Sequence, residues 1–358
     1  MQDTRARVLA AAFVAALCTA LSACSGGGSS NAIPQTDSHA VQSPAQPAQT
    51  APQAAVSRTE SIVADDTAAT ADGSFTYTNF SYHVMPTHSG TAATAKNVRH
   101  TDATTYPMDL AYYGGPLSPS VTTHNIYLDC SKLYSCWGRP FPFLTDLGAS
   151  SMLQLAAQYD GPMSLTPGQS ISEVRHIYTS TLYQNDLLHY IHKAIWHLGG
   201  KTLAGGKANA GFNHIYNLFL PPGVDTCFDQ TTQCYSPDNP SNFAFCAYHG
   251  AVQFSDYGVV LFTIQPYQGV PGCNFGNESD LTSAAANVLS HETFETMTDP
   301  IPGYGWENPW GYGEIGDECA WSSLTNETLN GHTYNIQLEY SNAVHACSDQ
   351  PTSPTAAR

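Results

Sequence analysis

Helices are predicted where apolar residues recur every three or four positions along the chain. This spacing occurs in the stretches 145–159 and 182–198, and a third helix is predicted at 280–297 from the residues at its two ends. Gly199 and Gly200 follow the second stretch and suit a helix C-terminus. Asp280 is placed to cap the third helix, which Pro300 would end.

Strands are predicted where short apolar runs are bounded by turn residues. The stretches 121–128, 214–220 and 259–265 have this pattern, and residues 333–340 alternate like an edge strand. The Thr- and Tyr-rich stretch 73–107 is expected to lie along the surface. Because strands and helices are mixed, we predict an α+β fold with a mixed sheet packed on the helix at 280–297.

The N-terminus has the organisation of a targeting segment. Arg5 and Arg7 precede an apolar run that is too short to span a membrane stably. The run ends at Cys24, and small residues before a Cys resemble a bacterial lipoprotein signal. We therefore expect lipidation of Cys24 and membrane attachment through its acyl chains. An ordinary secretory signal with an incidental Cys is the alternative. Ser25 resembles the outer-membrane sorting pattern, if the cell has two membranes.

Composition divides the chain into four predicted segments. Residues 1–23 are the lipoprotein signal peptide, 24–72 the lipidated Cys and a flexible tether, 73–349 a single α+β domain, and 350–358 a disordered tail. The tether contains too few large apolar residues to offset the entropy lost on folding. The domain, at about 275 residues, is long enough for one sizeable core.

Eight cysteines remain after Cys18 leaves with the signal and Cys24 is lipidated. They are Cys130, Cys136, Cys227, Cys234, Cys246, Cys273, Cys319 and Cys347. An even number in an exported domain predicts disulfides. The sequence leaves the pairing open, and nearest-neighbour pairing would give 130–136, 227–234, 246–273 and 319–347. A cysteine zinc site is the weaker alternative, because the chain has no C-x2-C pair.

The chain is strongly acidic, and its charges are unevenly placed. Its net charge of −17 becomes −18 when Asp3, Arg5 and Arg7 leave with the signal. Such a charge argues against nucleic acid as a partner and against binding an anionic membrane by charge. Residues 208–357 contain 16 Asp and Glu but no Lys or Arg. Acids in this region are solvated, paired with cations from elsewhere, or bound to a metal.

A metal-binding pattern stands in the helix predicted at 280–297. His291 and Glu295 are four residues apart and share one helix face, and Glu292 lies between them. Zinc peptidases present two ligands in this way, with the intervening Glu as general base. Glu314 or Asp317 would complete the ligand set, and the sequence leaves open which of them binds. The one that does not bind could orient a ligand.

The ligand types bear on the metal and on the chemistry. Two carboxylates and one His favour zinc, with manganese or calcium as alternatives because carboxylates are hard ligands. An open coordination position would hold water, and Glu292 would take its proton. Tyr304 or Tyr312 could stabilise the oxyanion. The order of strands and helices suits a zinc-peptidase-like α+β fold, in which a sheet packs on the active-site helix.

Several other side chains could serve either a structural or a functional role. His249 is expected to be a structural residue near Cys246, although it could line the site. His189 and His192 are expected on a solvated helix face. The tryptophans could line a groove for peptide or sugar, or could anchor loops; they are Trp306, Trp310 and Trp321.

Four sequence blocks resemble the plant phosphate-induced (Exordium-like) family. They are Gly114-Gly115-Pro116-Leu117, residues 245–250 followed by Pro271-Gly272-Cys273, the helix His291-Glu292-x-x-Glu295 with Thr298-Asp299-Pro300, and residues 314–319. The resemblance covers about residues 108–320, and the lipoprotein signal departs from the plant proteins. It implies a secreted, surface or wall-associated protein, without a firmly assigned reaction. Its helix suggests a zinc-peptidase-like ancestor.

Three functions are therefore compatible with the sequence. The first is a lipid-anchored metal-dependent hydrolase, a zinc endopeptidase acting on peptide or protein or on cell-wall glycan. The second is a non-catalytic surface or wall-binding module on a peptidase-like fold. The third is a structural metal site, for calcium above all.

Overall fold

The computed structural model describes residues 58–59, 75–88, 106, 108–130, 132, 135–173, 181–199, 211–228 and 233–351. The predicted signal peptide, Cys24 and nearly all of the tether lie outside these residues, as does the end of the predicted tail. The described residues all belong to one compact unit, Thr50–Arg358. In the described part of the chain, no helix combines the length and the mean hydropathy needed to cross a membrane.

The chain forms a mixed α+β structure. Its strands are β1 (Arg58–Thr59), β2 (Tyr77–Pro86), β3 (Ala111–Tyr112), β4 (Ser120–Leu128), β5 (Ser164–Pro167), β6 (Ile171–Glu173), β7 (Thr181–Tyr183), β8 (Gly211–Phe219), β9 (Asp225–Cys227), β10 (Cys234–Tyr235), β11 (Phe245–Phe254), β12 (Gly258–Gln265), β13 (Trp306–Glu307), β14 (Leu324–Leu329), β15 (His332–Gln337), β16 (Glu339–Ser341) and β17 (Ala346–Ser348). Its helices are α1 (Pro140–Gly148), α2 (Ala157–Asp160), α3 (Gln184–His197) and α4 (Leu281–Thr298), with 3-10 turns at Met152–Ala156 and Asp317–Cys319.

One large sheet organises the domain. Its strand order is β1-β2-β11-β12-β8-β4-β5, with β6 also paired to β4. The β1, β2, β11 and β12 pairs are antiparallel, whereas β8, β4, β5 and β6 join in parallel. The sheet is therefore mixed, as the sequence predicts. Smaller ribbons pair β13 with β3, β14 with β15, and β16 with β17.

The two faces of the sheet pack against different helices. Residues such as Tyr82, Tyr248 and Phe262 lie in one apolar cluster with the buried side of α3. Leu261, on the opposite face, lies in a second cluster with Leu289 and Phe294 of α4. Since successive strand residues point to opposite faces, His83 and His249 point toward the α4 side.

Helix α4 is buried along nearly its whole length, which explains its lack of an amphipathic pattern. Asp280 caps its N-terminus as predicted, because its carboxylate accepts hydrogen bonds from the backbone N–H groups of Thr282 and Ser283. The helix ends at Thr298, two residues before Pro300. A fully buried helix places its polar residues inside the domain.

The four disulfides follow nearest-neighbour pairing. They join Cys130 to Cys136, Cys227 to Cys234, Cys246 to Cys273 and Cys319 to Cys347. Cysteine ligation of zinc is thereby excluded for these residues. Four disulfides are typical of a protein that folds in an extracellular or otherwise oxidising environment.

Two secondary-structure predictions are wrong. Residues 145–159 do not form one helix, because α1 ends at Gly148 and the chain continues as a 3-10 turn before α2. The stretch 73–107 does not run along the surface throughout, because β2 within it is a largely buried strand of the main sheet. The predicted edge strand at 333–340 is divided between β15 and β16.

Candidate metal centre

Two histidines on neighbouring strands begin the site. His83 of β2 lies directly opposite His249 of β11 in the antiparallel pairing. Both side chains are fully buried and face α4. Directly opposed residues on one sheet face have side chains close enough to act together, so the two imidazoles form one wall of the site.

Helix α4 supplies the facing wall. His291 and Glu295 lie one turn apart on the same side of the helix, and the His291 Nε2 atom is 3.0 Å from the Glu295 Oε1 atom. Glu292 is buried beside them, and no histidine pairs with it among the described residues. The two predicted ligands therefore lie in contact with each other, whereas the predicted base, Glu292, is not paired with the site histidines.

Glu314 and Asp317 close the site. Glu314 lies in the loop before the 3-10 turn at Asp317–Cys319, and Asp317 is the first residue of that turn. The backbone N–H of Glu314 donates to Asp317 Oδ2, at 3.0 Å. Gly313 permits the close approach of Asp317, and Gly316 permits the close approach of His291. A Cβ atom at Gly313 would lie 2.1 Å from Asp317 Oδ2, and one at Gly316 would lie 2.5 Å from His291 Nδ1. Only glycine fits at these two positions without displacing a candidate ligand.

Three histidines and three carboxylates alternate around a common centre. His83 Nδ1 is 3.2 Å from Glu314 Oε1, and His83 Nε2 is 2.5 Å from Asp317 Oδ2. His249 Nε2 is 3.3 Å from Glu314 Oε2 and 3.6 Å from Glu295 Oε2. His291 Nε2 is 3.6 Å from Asp317 Oδ1. Each carboxylate thus lies between two different imidazoles.

Many of these short contacts are not aligned as hydrogen bonds. Both nitrogens of His249 and of His291 have no hydrogen-bond partner, nor do the carboxylate oxygens of Glu295 and Glu314. Buried polar atoms are normally hydrogen-bonded, because an unpartnered one costs about 1–3 kcal/mol. Converging, unpartnered nitrogen and oxygen donors are what a metal site requires.

The environment shifts the histidine pKa values in different directions. Burial alone would lower the pKa of His83, but the Asp317 carboxylate outweighs burial and raises it to about 10. At His291, burial also lowers the pKa, and the Glu295 carboxylate more than offsets it. Burial and the neighbouring His83 and His291 hold the pKa of His249 well below its usual value. This environment favours the neutral imidazole of His249, the form that binds metals.

The carboxyl groups are held toward their protonated form in the absence of a cation. Burial, followed by the charges of neighbouring acids, raises the pKa values of Glu292 and Glu314 well above the usual range. Burial also raises the pKa of Glu295, against the opposing effect of His291. A bound cation would reverse this preference, because it stabilises the ionised carboxylates.

More acids surround this group. Glu318 and Glu339 are almost completely buried, and burial raises the pKa of Glu318 to about 9. Asp299, also buried, has its pKa raised by burial to about 7, although it accepts hydrogen bonds from the backbone of Gly303 and Gly305. Within the described residues, every salt-bridge partner of the site acids is a histidine. In the part of the chain that the structure describes, no Lys or Arg is therefore paired with this negative charge.

Two triads of ligand atoms lie close enough together to hold a metal ion. They are His83, Glu295 and Asp317, and His249, Glu295 and Glu314. In each triad the atoms lie within 4.8 Å of one another. The sequence left open whether Glu314 or Asp317 faces the metal site; the structure brings both to it.

Other predicted residues have different places. Tyr304 is half-exposed and Tyr312 is partly exposed, so the oxyanion role of either stays a prediction. His192 pairs with Asp256 on the far side of the sheet, and neither it nor His189 belongs to a metal-capable group in the described structure.

Two of the tryptophans hold loops in place. The indole N–H of Trp306 donates to the Tyr159 carbonyl, and that of Trp321 donates to the Pro86 carbonyl. For these two residues the structure favours the loop-anchor interpretation over a binding groove. Trp310 is partly buried.

The sequence interpretation missed His83 and misjudged His249. His83 lies in the stretch that was expected at the surface, and His249 was expected to be structural. The strand pairing in the folded sheet, which the sequence does not give, shows what the two histidines share. A row of buried polar residues crosses the sheet in register, and it runs His83, His249, Thr263, Asn217, Asn125. Polar residues at the centres of several strands mark a face that serves more than packing.

Comparison with known proteins adds no assignment to this geometry. No protein family, curated protein or solved structure matches the chain. The resemblance to the Exordium-like family therefore stays a prediction, and the functional argument rests on the site.

Proposed function

We propose that the protein is an exported metal-dependent hydrolase, with a zinc endopeptidase as the leading form. The supporting observation is the convergence of three histidines and three carboxylates in a buried space that contains unpartnered donor atoms. This donor set fits a divalent ion, with zinc first and manganese or calcium as alternatives. A bound ion of this kind would polarise a carbonyl group and activate water.

The roles of the chain's own residues follow from their positions. His291, Glu295, Glu314 and Asp317 would hold the ion, joined by His83 and His249. Glu292 lies on the same helix but outside the histidine contacts, which suits a general base that must remain free to accept a proton. Burial and the neighbouring acids raise its pKa well above the usual range for Glu, and a bound cation would favour the ionised carboxylate that a base requires.

The cellular setting belongs to the same proposal. Four disulfides indicate an oxidising environment, and Cys24 would attach the protein to a bacterial membrane through lipid. A peptide, a protein or cell-wall glycan is then the substrate within reach. Cys24→Ser should move the protein from the membrane fraction to the soluble fraction and abolish incorporation of labelled fatty acid. Continued membrane association would contradict lipidation.

Substitution of the base tests the hydrolase proposal. Glu292→Gln should retain the bound metal and lose about 10²–10⁴-fold in turnover of a peptide or cell-wall substrate, because a positioned base contributes about that much. Glu278→Gln, an exposed glutamate just before α4, is the matched control and should retain turnover. Activity that survives both Glu292→Gln and chelation would overturn the proposal.

A structural cation site is the second candidate, and one observation favours it. The six candidate ligands are 0–1% exposed, and an enzyme must admit its substrate. This candidate expects strong thermal stabilisation by calcium, a weaker effect of zinc, and no turnover, since a ligand that binds only the native state stabilises it. Stabilisation by zinc in preference to calcium would exclude it.

A further inference from the structure

We propose that the centre holds two metal ions, bridged by the carboxylate of Glu295. The inference extends the metal site of the proposed function, but it concerns the number and position of the ions, not the reaction. It rests on how the donor atoms are divided around Glu295.

The two oxygens of Glu295 face different histidines. Oε1 is 3.0 Å from His291 Nε2, and Oε2 is 3.6 Å from His249 Nε2. A carboxylate that binds a single ion directs one or both of its oxygens to that ion. Glu295 instead directs its oxygens to two places, as a bridging carboxylate does.

A second acid completes each position. Asp317 Oδ1 lies 3.6 Å from His291 Nε2, and Asp317 also groups with Glu295 and His83. Glu314 Oε2 lies 3.3 Å from His249 Nε2 and groups with Glu295. Donors on opposite sides of one ion are about 4.0–4.8 Å apart at ordinary bond lengths, so a spread of up to 4.8 Å within a triad fits one ion each.

His83 connects the two positions. Its Nδ1 atom faces Glu314 and its Nε2 atom faces Asp317. One imidazole in contact with both outer carboxylates fixes the separation of the two positions. In two-metal enzymes the ions are about 3.5–4 Å apart, a spacing that the Glu295 carboxylate can bridge.

The charge of the pocket also favours two ions. Glu295, Glu314 and Asp317 together carry three negative charges when ionised, and Glu292, Glu318 and Glu339 are buried nearby. One divalent ion leaves an excess of negative charge in a low-dielectric interior, where uncompensated charge is costly. Two divalent ions offset the three ligand carboxylates and part of the remainder.

The test counts ions and measures their coupling in the purified full-length protein. After chelation, the protein is saturated with Mn²⁺, freed of unbound metal, and examined by elemental analysis and electron paramagnetic resonance. We expect about two ions per chain and the spectrum of an exchange-coupled pair. About one ion per chain with an isolated-ion spectrum would overturn the inference, and so would two uncoupled ions.

One substitution separates the two positions. His249→Ala should reduce the content to about one ion per chain and convert the coupled spectrum to that of an isolated ion. His192→Ala, which removes a histidine paired with Asp256 outside the site, should leave both readings unchanged. An unchanged metal content in His249→Ala would count against the second position. If that variant does not fold, the spectrum of the wild-type protein decides alone.

The outcomes distinguish this inference from the proposed hydrolase. Two coupled ions in a protein without hydrolytic activity would leave the inference standing and refute the reaction. Turnover in a protein with a single ion would support the hydrolase and refute the two-ion inference.

Discussion

Replacing Gly316 with alanine tests the packing of the centre without changing any candidate ligand. Gly316 has φ −77° and ψ −41°, a backbone conformation that alanine adopts without strain. Its added Cβ would lie 2.5 Å from His291 Nδ1, 2.8 Å from Cγ and 2.9 Å from Cε1. The three atoms nearest to the added methyl group therefore all belong to the imidazole ring.

Neither partner of this contact can move freely. Gln337 Nε2 donates to the Gly316 carbonyl at 2.8 Å, and the Cys319 backbone N–H donates to the same carbonyl at 3.1 Å. His291 is fully buried on α4. Overpacking of such a site costs about 1–3 kcal/mol. Loss of a glycine from the unfolded chain offsets about 0.4–1 kcal/mol of that cost.

A double-mutant cycle isolates the contact. Gly316→Ala should lower the free energy of unfolding in the wild-type background by up to about 2.5 kcal/mol. In the His291→Ala background the ring is gone, so the same change should be neutral or stabilising by up to about 1 kcal/mol. The coupling energy is then about 1–3 kcal/mol. Guanidinium titrations with disulfides intact and EDTA present would measure it.

Equal effects of Gly316→Ala in both backgrounds, to within about 0.5 kcal/mol, would refute this reasoning. The cost would then come from the backbone of the 3-10 turn and not from His291. The same proteins also give a second reading. Metal affinity should fall in the Gly316→Ala single variant although every candidate ligand is retained, because a displaced imidazole can no longer face Glu295.

Two further outcomes are expected. The metal-free protein should lose thermal stability as pH rises from 6.5 to 9. The folded-state pKa of His83 is about 10 against an ordinary 6.5, and that of Glu318 is about 9 against an ordinary 4.5. Because the folded state holds these protons more tightly than the unfolded state does, the stability they give at lower pH is lost as pH rises toward the folded-state pKa values. A melting temperature that is constant or rises over this range in EDTA would contradict the assignment, and Glu318→Gln should flatten the slope. Asp280→Ala should lower the free energy of unfolding by about 0.5–2 kcal/mol through loss of the helix cap, whereas Glu278→Ala should not; equal effects in urea titrations would argue against a specific cap.

Much of the framework follows from local sequence patterns. The strands β4, β8 and β12, the helices α3 and α4 and the Asp280 cap all have signals within a few residues. The same is true of His291 and Glu295, since their spacing alone places them on one helix face. The disulfides join cysteines that are neighbours in sequence.

Strand β2 was missed for a physical reason. The apolar positions are Phe75, just before the strand, and Tyr77, then Phe80, Tyr82 and Val84, so the alternation changes phase at Asn79. Asn79 has φ +50°, and the pairing with β11 shifts register at this point. A β-bulge inserts one residue and exchanges the faces of the strand. The period of two is broken within ten residues, and His83 is hidden by that break.

The convergence of the site could not be predicted because its residues are far apart in sequence. No local pattern joins His83 to His249, or either of them to α4. Their proximity depends on the register of β2 with β11 and on the packing of α4 against that face. Glu314 and Asp317 reach the site through tight glycine contacts that only the folded loop reveals.

The position of β2 at the beginning of the domain determines when the centre can form. His83 meets Asp317 across 234 residues of chain, so the donor set is incomplete until the C-terminal part has been synthesised. When helix α4 has emerged, His83, His249, His291 and Glu295 have been synthesised, but Glu314 and Asp317 are still missing. The proposed metal would then be acquired last, from whatever ions are present in the compartment where the chain folds. The identity of that metal would reflect the place where the protein folds as much as the preference of its ligands.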